Sequence, residues 1–176
     1  MHLRRLHFVA FAILVIGCFF ACEIKDRGPG RITFASPLSY NQFIVDRHKE
    51  LIADVDIYNL AMEHDYAVAM KTLDSILLHA SQSLSDVSHM APFKGDSSFR
   101  EVSEDFFKYY SGQFIDEGKE LIELKSKADS GRADYDEITT LVQLSKKVDA
   151  HANTLQLRLQ EMQRRFASKN NFILSK

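Results

Sequence analysis

The feature that most constrains the fold is a long amphipathic run over residues 134–169. This run is interrupted only by Ser145, and its apolar side chains recur at alternating steps of three and four: Ile138, Leu141, Val148, Ala152, Leu155, Leu159, Met162 and Phe166. That spacing places them on one stripe of an α-helix about 54 Å long. Because a lone helix must bury such a stripe, the remainder of the chain is expected to cover it.

Two helices are predicted at the start of the folded region. The first is expected to begin at Pro37, which suits the first helical position, with Ser36 as N-cap. Residues 63–65 predict a break, and Asp65 is a suitable N-cap for the second helix; the alternative is one continuous helix as far as Val87. The stripe of the second helix comprises Ala69, Leu73, Ile76, Leu77, Ala80, Leu84 and Val87.

A third helix is predicted between residues 98 and 130, after a segment with proline and glycine at 90–96. Asp96 or Ser98 is expected to cap it. Gly112 and Gly118 lie inside it, and each costs about 1 kcal/mol relative to alanine in a helix. They are expected to permit either a bend or the close approach of a neighbouring helix.

Four helices with short connections predict an all-α fold, an antiparallel up-down-up-down four-helix bundle over residues 38–176. The residues after the last helix, 172–174, are expected to fold back on the bundle end. No alternating strand pattern exceeds three residues.

The N-terminus predicts an export signal over residues 1–21. Arg4 and Arg5 precede an uncharged apolar run, residues 6–21, which is shorter than a comfortable transmembrane span. Small residues precede Cys18 and Cys22, and both tetrapeptides resemble the lipobox of bacterial lipoproteins. That resemblance implies a diacylated cysteine at the mature N-terminus. Cys22 is preferred because polar residues follow it at once; Cys18, the closer match to the pattern, remains the alternative.

An uncleaved anchor helix and an ordinary cleaved signal are the other interpretations of this N-terminus. Residues 22–37 are predicted to be a flexible tether, since Gly28-Pro29-Gly30 blocks helix formation. The region that folds has no cysteine, which excludes a disulfide framework and a cysteine-based metal site. The formal net charge is −2 and no basic cluster follows the N-terminus, which argues against nucleic-acid binding.

Residues 40–174 resemble a family of uncharacterised small bacterial surface lipoproteins of spirochaete and Bacteroidetes type. The matching segments are Tyr40-Asn41, Ile44-Val45, Pro92-Phe93-Lys94-Gly95-Asp96, Phe106-Phe107-Lys108-Tyr109-Tyr110 and residues 163–172. The resemblance implies a lipid anchor and exposure at the cell envelope, and it implies no reaction.

Sequence motifs for catalysis or metal binding are lacking. The chain contains no Glu-x-x-His pair, no His-Glu-x-x-His motif, no nucleophile elbow and no phosphate-binding glycine loop. No metal, no cofactor and no enzymatic activity are therefore predicted. Surface or helix-end positions are expected for the five histidines after the signal: His48, His64, His79, His89 and His151.

An aromatic cluster in the third helix is the most unusual composition in the chain. It consists of Phe106, Phe107, Tyr109, Tyr110 and Phe114. Two adjacent aromatic pairs cannot share one narrow stripe, so some rings are expected at helix borders or on the surface. One interpretation is a core filled with rings in a chain without tryptophan. The other is a groove for an apolar ligand or a partner helix, with the tyrosine hydroxyls as polar groups.

These features predict a lipid-anchored protein of the bacterial cell envelope, at the outer membrane or the cell surface. Its expected role is non-enzymatic binding or structure. Its expected partners are the membrane, through the N-terminal lipid, and a protein of the envelope. The alternative function is a helical-bundle carrier of a small apolar ligand or lipid near the aromatic cluster.

Overall fold

Residues 31–174, which the computed structural model describes, fold as an all-α, antiparallel, up-down-up-down four-helix bundle. The helices are α1 (Pro37–His64), α2 (Tyr66–Ser88), α3 (Ser98–Tyr110), α4 (Gln113–Asp129) and α5 (Tyr135–Lys169). Helices α3 and α4 follow one another and form the third leg of the bundle. The predicted signal peptide and both cysteines lie outside the described residues.

Side-chain caps fix three of the predicted helix starts. Ser36 caps α1 by accepting a hydrogen bond from the backbone N–H of Ser39. Asp65 caps α2, which confirms the predicted break and excludes one continuous helix. Asp134 and Glu137 form a reciprocal capping box at the start of α5. Each cap satisfies helix-terminal N–H groups that have no intrahelical partner.

The prediction of one continuous third helix is wrong, because the helix breaks between Tyr110 and Gln113. Gly112 adopts a non-helical conformation there, with φ −135° and ψ −98°. Gly118 remains helical, and a Cβ built on it would lie 2.8 Å from Cδ2 of Leu73 on α2. One glycine therefore ends a helix and the other permits close approach of a neighbour.

The bundle core contains most of the predicted stripes, with some exceptions. Ile138 and Leu77, expected to be buried, are 47% and 39% exposed. Leu144 is buried on α5 although it lies off the predicted stripe. Ile138 lies in the first turn of α5 at the bundle end, where neighbouring side chains cover less of the helix than they do near its centre.

The end of the bundle where α1 and α3 begin and α2 and α5 end is called the tether-side end below. Tyr40 stacks on Phe166 there, with ring centroids 5.0 Å apart, and Phe93 contacts both rings. Phe172 folds back onto Phe166 as predicted, whereas Ile173 is 93% exposed. Three segments that are distant in sequence thus meet in one aromatic cluster.

The last residues of the predicted flexible tether are packed against this end. The N–H of Ile32 donates to the carbonyl of His89, and the N–H of Ala91 donates to the carbonyl of Ile32, both at 2.8 Å. The Phe34 ring packs edge-on against Phe43. The chain therefore meets the bundle at a fixed position, ahead of the first helix.

The four legs are not packed equally. Helix α1 packs on α2, α2 packs on α3 and α4, and α5 packs on α3 and α4. Adjacent legs α1 and α5 do not come into comparably close backbone contact, and their groove is called the seam below. Among residues 31–174, no helix combines the length and the apolar character needed to cross a membrane.

Candidate functional site

The five aromatic residues singled out in the sequence are all buried. They are Phe106, Phe107, Tyr109, Tyr110 and Phe114. Tyr110 contacts both Phe106 and Phe114 with ring centroids 4.9 Å apart. None of the rings lies free on the surface, because α3 packs against α2, α4 and α5, and His48 of α1 also contacts Phe106, so more than one face of α3 is covered. The cluster is core, as the first interpretation holds.

Open space lies instead in the seam, next to Tyr110 at the edge of this cluster. A cleft of about 510 Å³ lies between α1 and α5 and has the ring of Tyr110 in its lining. The other side chains that line this central cleft are His48, Lys49, Ile52, Ala53 and Asp56 from α1, and Ala152, Asn153 and Gln156 from α5. Aromatic and aliphatic groups therefore lie beside neutral amides and two opposite charges.

Two further clefts continue the central cleft toward the tether-side end. They measure about 180 Å³ and about 580 Å³. Lys49 lines all three clefts, and Gln163 lines the two lower ones. From Asp56 to Leu38 the groove follows 18 residue steps of α1, which is about 27 Å. The seam is thus an elongated open groove.

Polar and aromatic contacts hold the two sides of the seam together. His48 Nε2 and Gln156 Oε1 are 2.9 Å apart. Farther down, Nε2 of Gln163 donates to Oδ1 of Asn41 at 3.0 Å. Below them, Tyr40 stacks on Phe166. Water or another polar group can replace the two hydrogen bonds made by Gln156 and Gln163. The two sides of the seam therefore separate more easily than the two sides of a dry apolar interface.

His48 occupies the centre of the seam and is not the surface residue predicted from the sequence. Its ring lies 4.6 Å from the ring of Phe106. Burial lowers the pKa of His48, and this effect exceeds the opposing effect of the hydrogen bond to Gln156. A neutral imidazole is therefore favoured at neutral pH.

The other histidines have different surroundings. His64 and His89 are exposed at helix ends, as predicted. His79 Nδ1 lies 2.5 Å from a carboxylate oxygen of Asp54, and His151 stacks on Tyr109. Across residues 31–174, no three histidine, cysteine or acidic side chains are grouped as a metal site would require.

A buried carboxylate, Glu117, joins α4 to α5 on the closed side of the bundle. Its Oε1 accepts from Lys147 Nζ and from Gln113 Nε2, both at 2.8 Å, and its Oε2 accepts from the Tyr109 hydroxyl at 3.3 Å. Burial alone would raise the pKa of Glu117, but these hydrogen bonds outweigh it and the pKa is lowered. The same burial raises the pKa of Tyr109. All partners come from this chain, so the group is structural.

Apart from Tyr110, the residues that line the central cleft were not recognised from the sequence as functional candidates. A usable signal was present on α5, where neutral amides recur at Asn153, Gln156, Gln160 and Gln163. These steps of three and four mark a helix face that is polar yet uncharged. The polar face of a bundle helix carries charged or polar residues, and this row on α5 is made of neutral amides alone.

Comparisons with protein families, with curated proteins and with solved structures give no match for this chain. The resemblance to small bacterial surface lipoproteins stays a prediction.

Proposed function

We propose that this chain is a lipid-anchored protein of the bacterial cell envelope whose seam binds a polypeptide segment of an envelope partner. The binding is non-enzymatic. The observation that carries the proposal is the groove between α1 and α5, in which neutral amides and apolar side chains lie beside the charged Lys49 and Asp56. Amides offer both donors and acceptors, which suits the backbone N–H and C=O groups of a peptide.

Three properties of the seam support a polypeptide partner. The groove is about 27 Å long, enough for several residues of an extended or helical segment. Farther along the two helices, Leu60 on α1 and Val142 on α5 are exposed apolar residues at helical spacing from the residues that line the groove. Its one imidazole in the central cleft, His48, is bonded to an amide and not to a nucleophile or a carboxylate.

The alternative, a carrier of a small apolar ligand, has weaker support. The rings of the aromatic cluster fill the space between the helices, and the clefts are open to solvent with polar rims. An apolar ligand would need an enclosed site that buries most of its surface. Tyr110 already lines the central cleft, whereas the seam would have to open wider to reach Phe106.

Photo-crosslinking in intact cells tests the proposal. A benzophenone side chain is introduced at Lys49 or Asn153, on opposite rims of the central cleft, and at exposed Gln82 on α2 as control. We expect one polypeptide to be captured from both rims and not from Gln82. Capture that is equal at all three positions, or absent from both rims, would contradict a binding seam.

A second experiment blocks the cleft without touching the core. Ala53, exposed on its rim, is changed to arginine, and the matched control is Ala67→Arg at an exposed position of α2. The purified captured polypeptide should bind the parent chain and Ala67→Arg equally and bind Ala53→Arg at least tenfold more weakly, which corresponds to about 1.4 kcal/mol. Native mass spectrometry that instead finds a co-purifying apolar ligand would favour the carrier.

A further inference from the structure

The tether-side end carries apolar side chains that the bundle leaves exposed. Leu38, at the start of α1, is 56% exposed, and Ile173, just after α5, is 93% exposed. Both line the lowest cleft of the seam together with Phe172 and Leu174. Folding back of the segment after α5 therefore brings exposed aliphatic groups together at one end of the molecule.

Basic side chains accompany this apolar surface. Lys94 lies at an exposed turn with φ 50°, and its Nζ is 5.5 Å from the centroid of the Phe93 ring. Within residues 31–174, neither Lys94 nor exposed Arg31 forms an ion pair, whereas Lys169 is neutralised by Asp96 at 2.7 Å. Among the described residues, Lys94 and Arg31 are thus two cations at this end without a carboxylate partner, although the chain as a whole has a formal charge of −2.

The course of the chain places this surface beside the N-terminal segment. In a bundle with an even number of antiparallel legs, the start of the first helix and the end of the last helix lie at the same end. The backbone is fixed there by the two hydrogen bonds of Ile32. Nine residues separate Cys22 from Ile32, and they span at most about 32 Å when fully extended. The opposite end of α5 lies about 52 Å away.

We propose that the tether-side end rests on the membrane surface, with Leu38 and Ile173 inserted among anionic lipid headgroups and with Lys94 and Arg31 at the level of the phosphates. Apolar groups flanked by lysine and arginine are the combination that favours an interfacial position at an anionic bilayer. The inference rests on the proposed lipid anchor, which would hold this end within reach of the bilayer.

The contact gives the seam a defined orientation. Helix α1 would rise from the bilayer, and Ala53 in the central cleft would lie 15 residues beyond Leu38, or about 22 Å along the helix. A polypeptide partner in the central cleft would then be bound clear of the headgroups, and only the lowest cleft would face the bilayer. A bundle free to rotate on its tether would present the seam in every direction.

Single tryptophans test the contact, since the chain contains none. The full chain, isolated with its native N-terminus, is placed in vesicles of phosphatidylcholine and phosphatidylglycerol, with or without bromine on the acyl chains. Ile173→Trp and Leu38→Trp are compared with Tyr135→Trp, which is 82% exposed at the opposite end. We expect brominated lipid to quench the first two several-fold more than Tyr135→Trp.

Charge reversal tests the basic rim with a matched control. Lys94→Glu should reduce the quenching of Ile173→Trp, and Lys71→Glu, at an exposed site on α2, should leave it unchanged. Removing phosphatidylglycerol should also reduce the quenching, because it removes the anionic headgroups. Adding salt should do the same, because the attraction between Lys94 and these headgroups is screened beyond about 10 Å at 0.1 M salt.

Vesicle flotation separates the two ways of failing. Chain that floats with the vesicles while Ile173→Trp is quenched no more than Tyr135→Trp would contradict the membrane contact alone. Chain that does not float would contradict the anchor, and the membrane contact with it. Protection of Ile173→Trp from aqueous iodide without quenching by brominated lipid would indicate a protein cover and would also overturn the inference.

Discussion

Helix α5 meets its neighbours in two different ways. Toward α3 and α4 it packs on buried aromatic rings and reaches a buried carboxylate, Glu117, through Lys147. Toward α1 it faces a groove bridged by two amide contacts and, at the tether-side end, by stacked rings. The first interface stabilises the fold by burying apolar surface, and the second leaves side chains available to a partner.

The largest difference in the free energy of unfolding is expected between truncation of an apolar side chain in the core and truncation of one in the seam. Leu73→Ala removes a fully buried group next to Gly118 and should lower the free energy of unfolding by about 3 kcal/mol. Ile52→Ala, half-buried in the central cleft, should cost about 1 kcal/mol because water already reaches the site. Urea denaturation followed by circular dichroism measures both. Equal losses would mean that the seam is as tightly packed as the core.

The next largest effect concerns the buried carboxylate. Lys147→Met leaves Glu117 without its cation and should lower the free energy of unfolding at pH 7 by more than the matched control does. Lys146→Met, at an exposed neighbouring position, should stay within about 0.5 kcal/mol of the parent chain.

The pH dependence of this loss follows from the sign of the shift. The pKa of Glu117 is lowered on folding, so its contribution is present above the ordinary carboxyl pKa and is lost as the pH falls through the folded value. The difference between Lys147→Met and the parent chain should therefore shrink in acid. A difference independent of pH would show that Lys147 acts only by packing.

A smaller effect is expected from His48 in the seam. Because its pKa is lowered on folding, stability is complete above the unfolded pKa of about 6.5 and falls as the pH drops. The loss between pH 7 and pH 5 should be greater in the parent chain than in His48→Gln. Denaturation at both pH values, with nuclear magnetic resonance titration of the imidazole, measures it; equal losses would place His48 in solvent.

The smallest effect is expected from Gln156→Ala, which removes one bridge across the seam. The cost should be about 0.5 kcal/mol, because water can take the place of the lost amide. Hydrogen exchange should accelerate in α1 and α5 next to the seam and stay unchanged in α2 near Leu73. Uniform acceleration would contradict a seam that opens independently.

Much of the fold was predictable because local signals fix it. The three- and four-residue spacing predicted α5. Asp65 predicted the start of α2 and Asp134 the start of α5, because each side chain accepts backbone hydrogen bonds within the first turn of its helix. At Gly112 the sequence predicted a bend or the close approach of a neighbouring helix, and it did not predict that the helix ends there. A glycine lowers helix stability at its position, but whether the helix bends, ends or continues depends on the surfaces that surround it.

The candidate site was much harder to predict. The aromatic residues drew attention because their composition is unusual, yet they are buried core. Gln156 and His48 are 108 positions apart, and nothing local to either residue indicates that they meet. The row of amides on α5 was a usable signal, but the sequence does not show which neighbour faces that row.

The sequence by itself determined the helical class, the number of legs and most helix ends, because propensity, caps and apolar spacing act within a few residues. Only the tertiary structure decided that Tyr110 lies beneath an open groove, that Ile32 is fixed to the bundle and that Ile173 is exposed at the same end. Those outcomes depend on how four legs share a limited apolar surface, and a shortage of close packing at one interface has no local sequence signature.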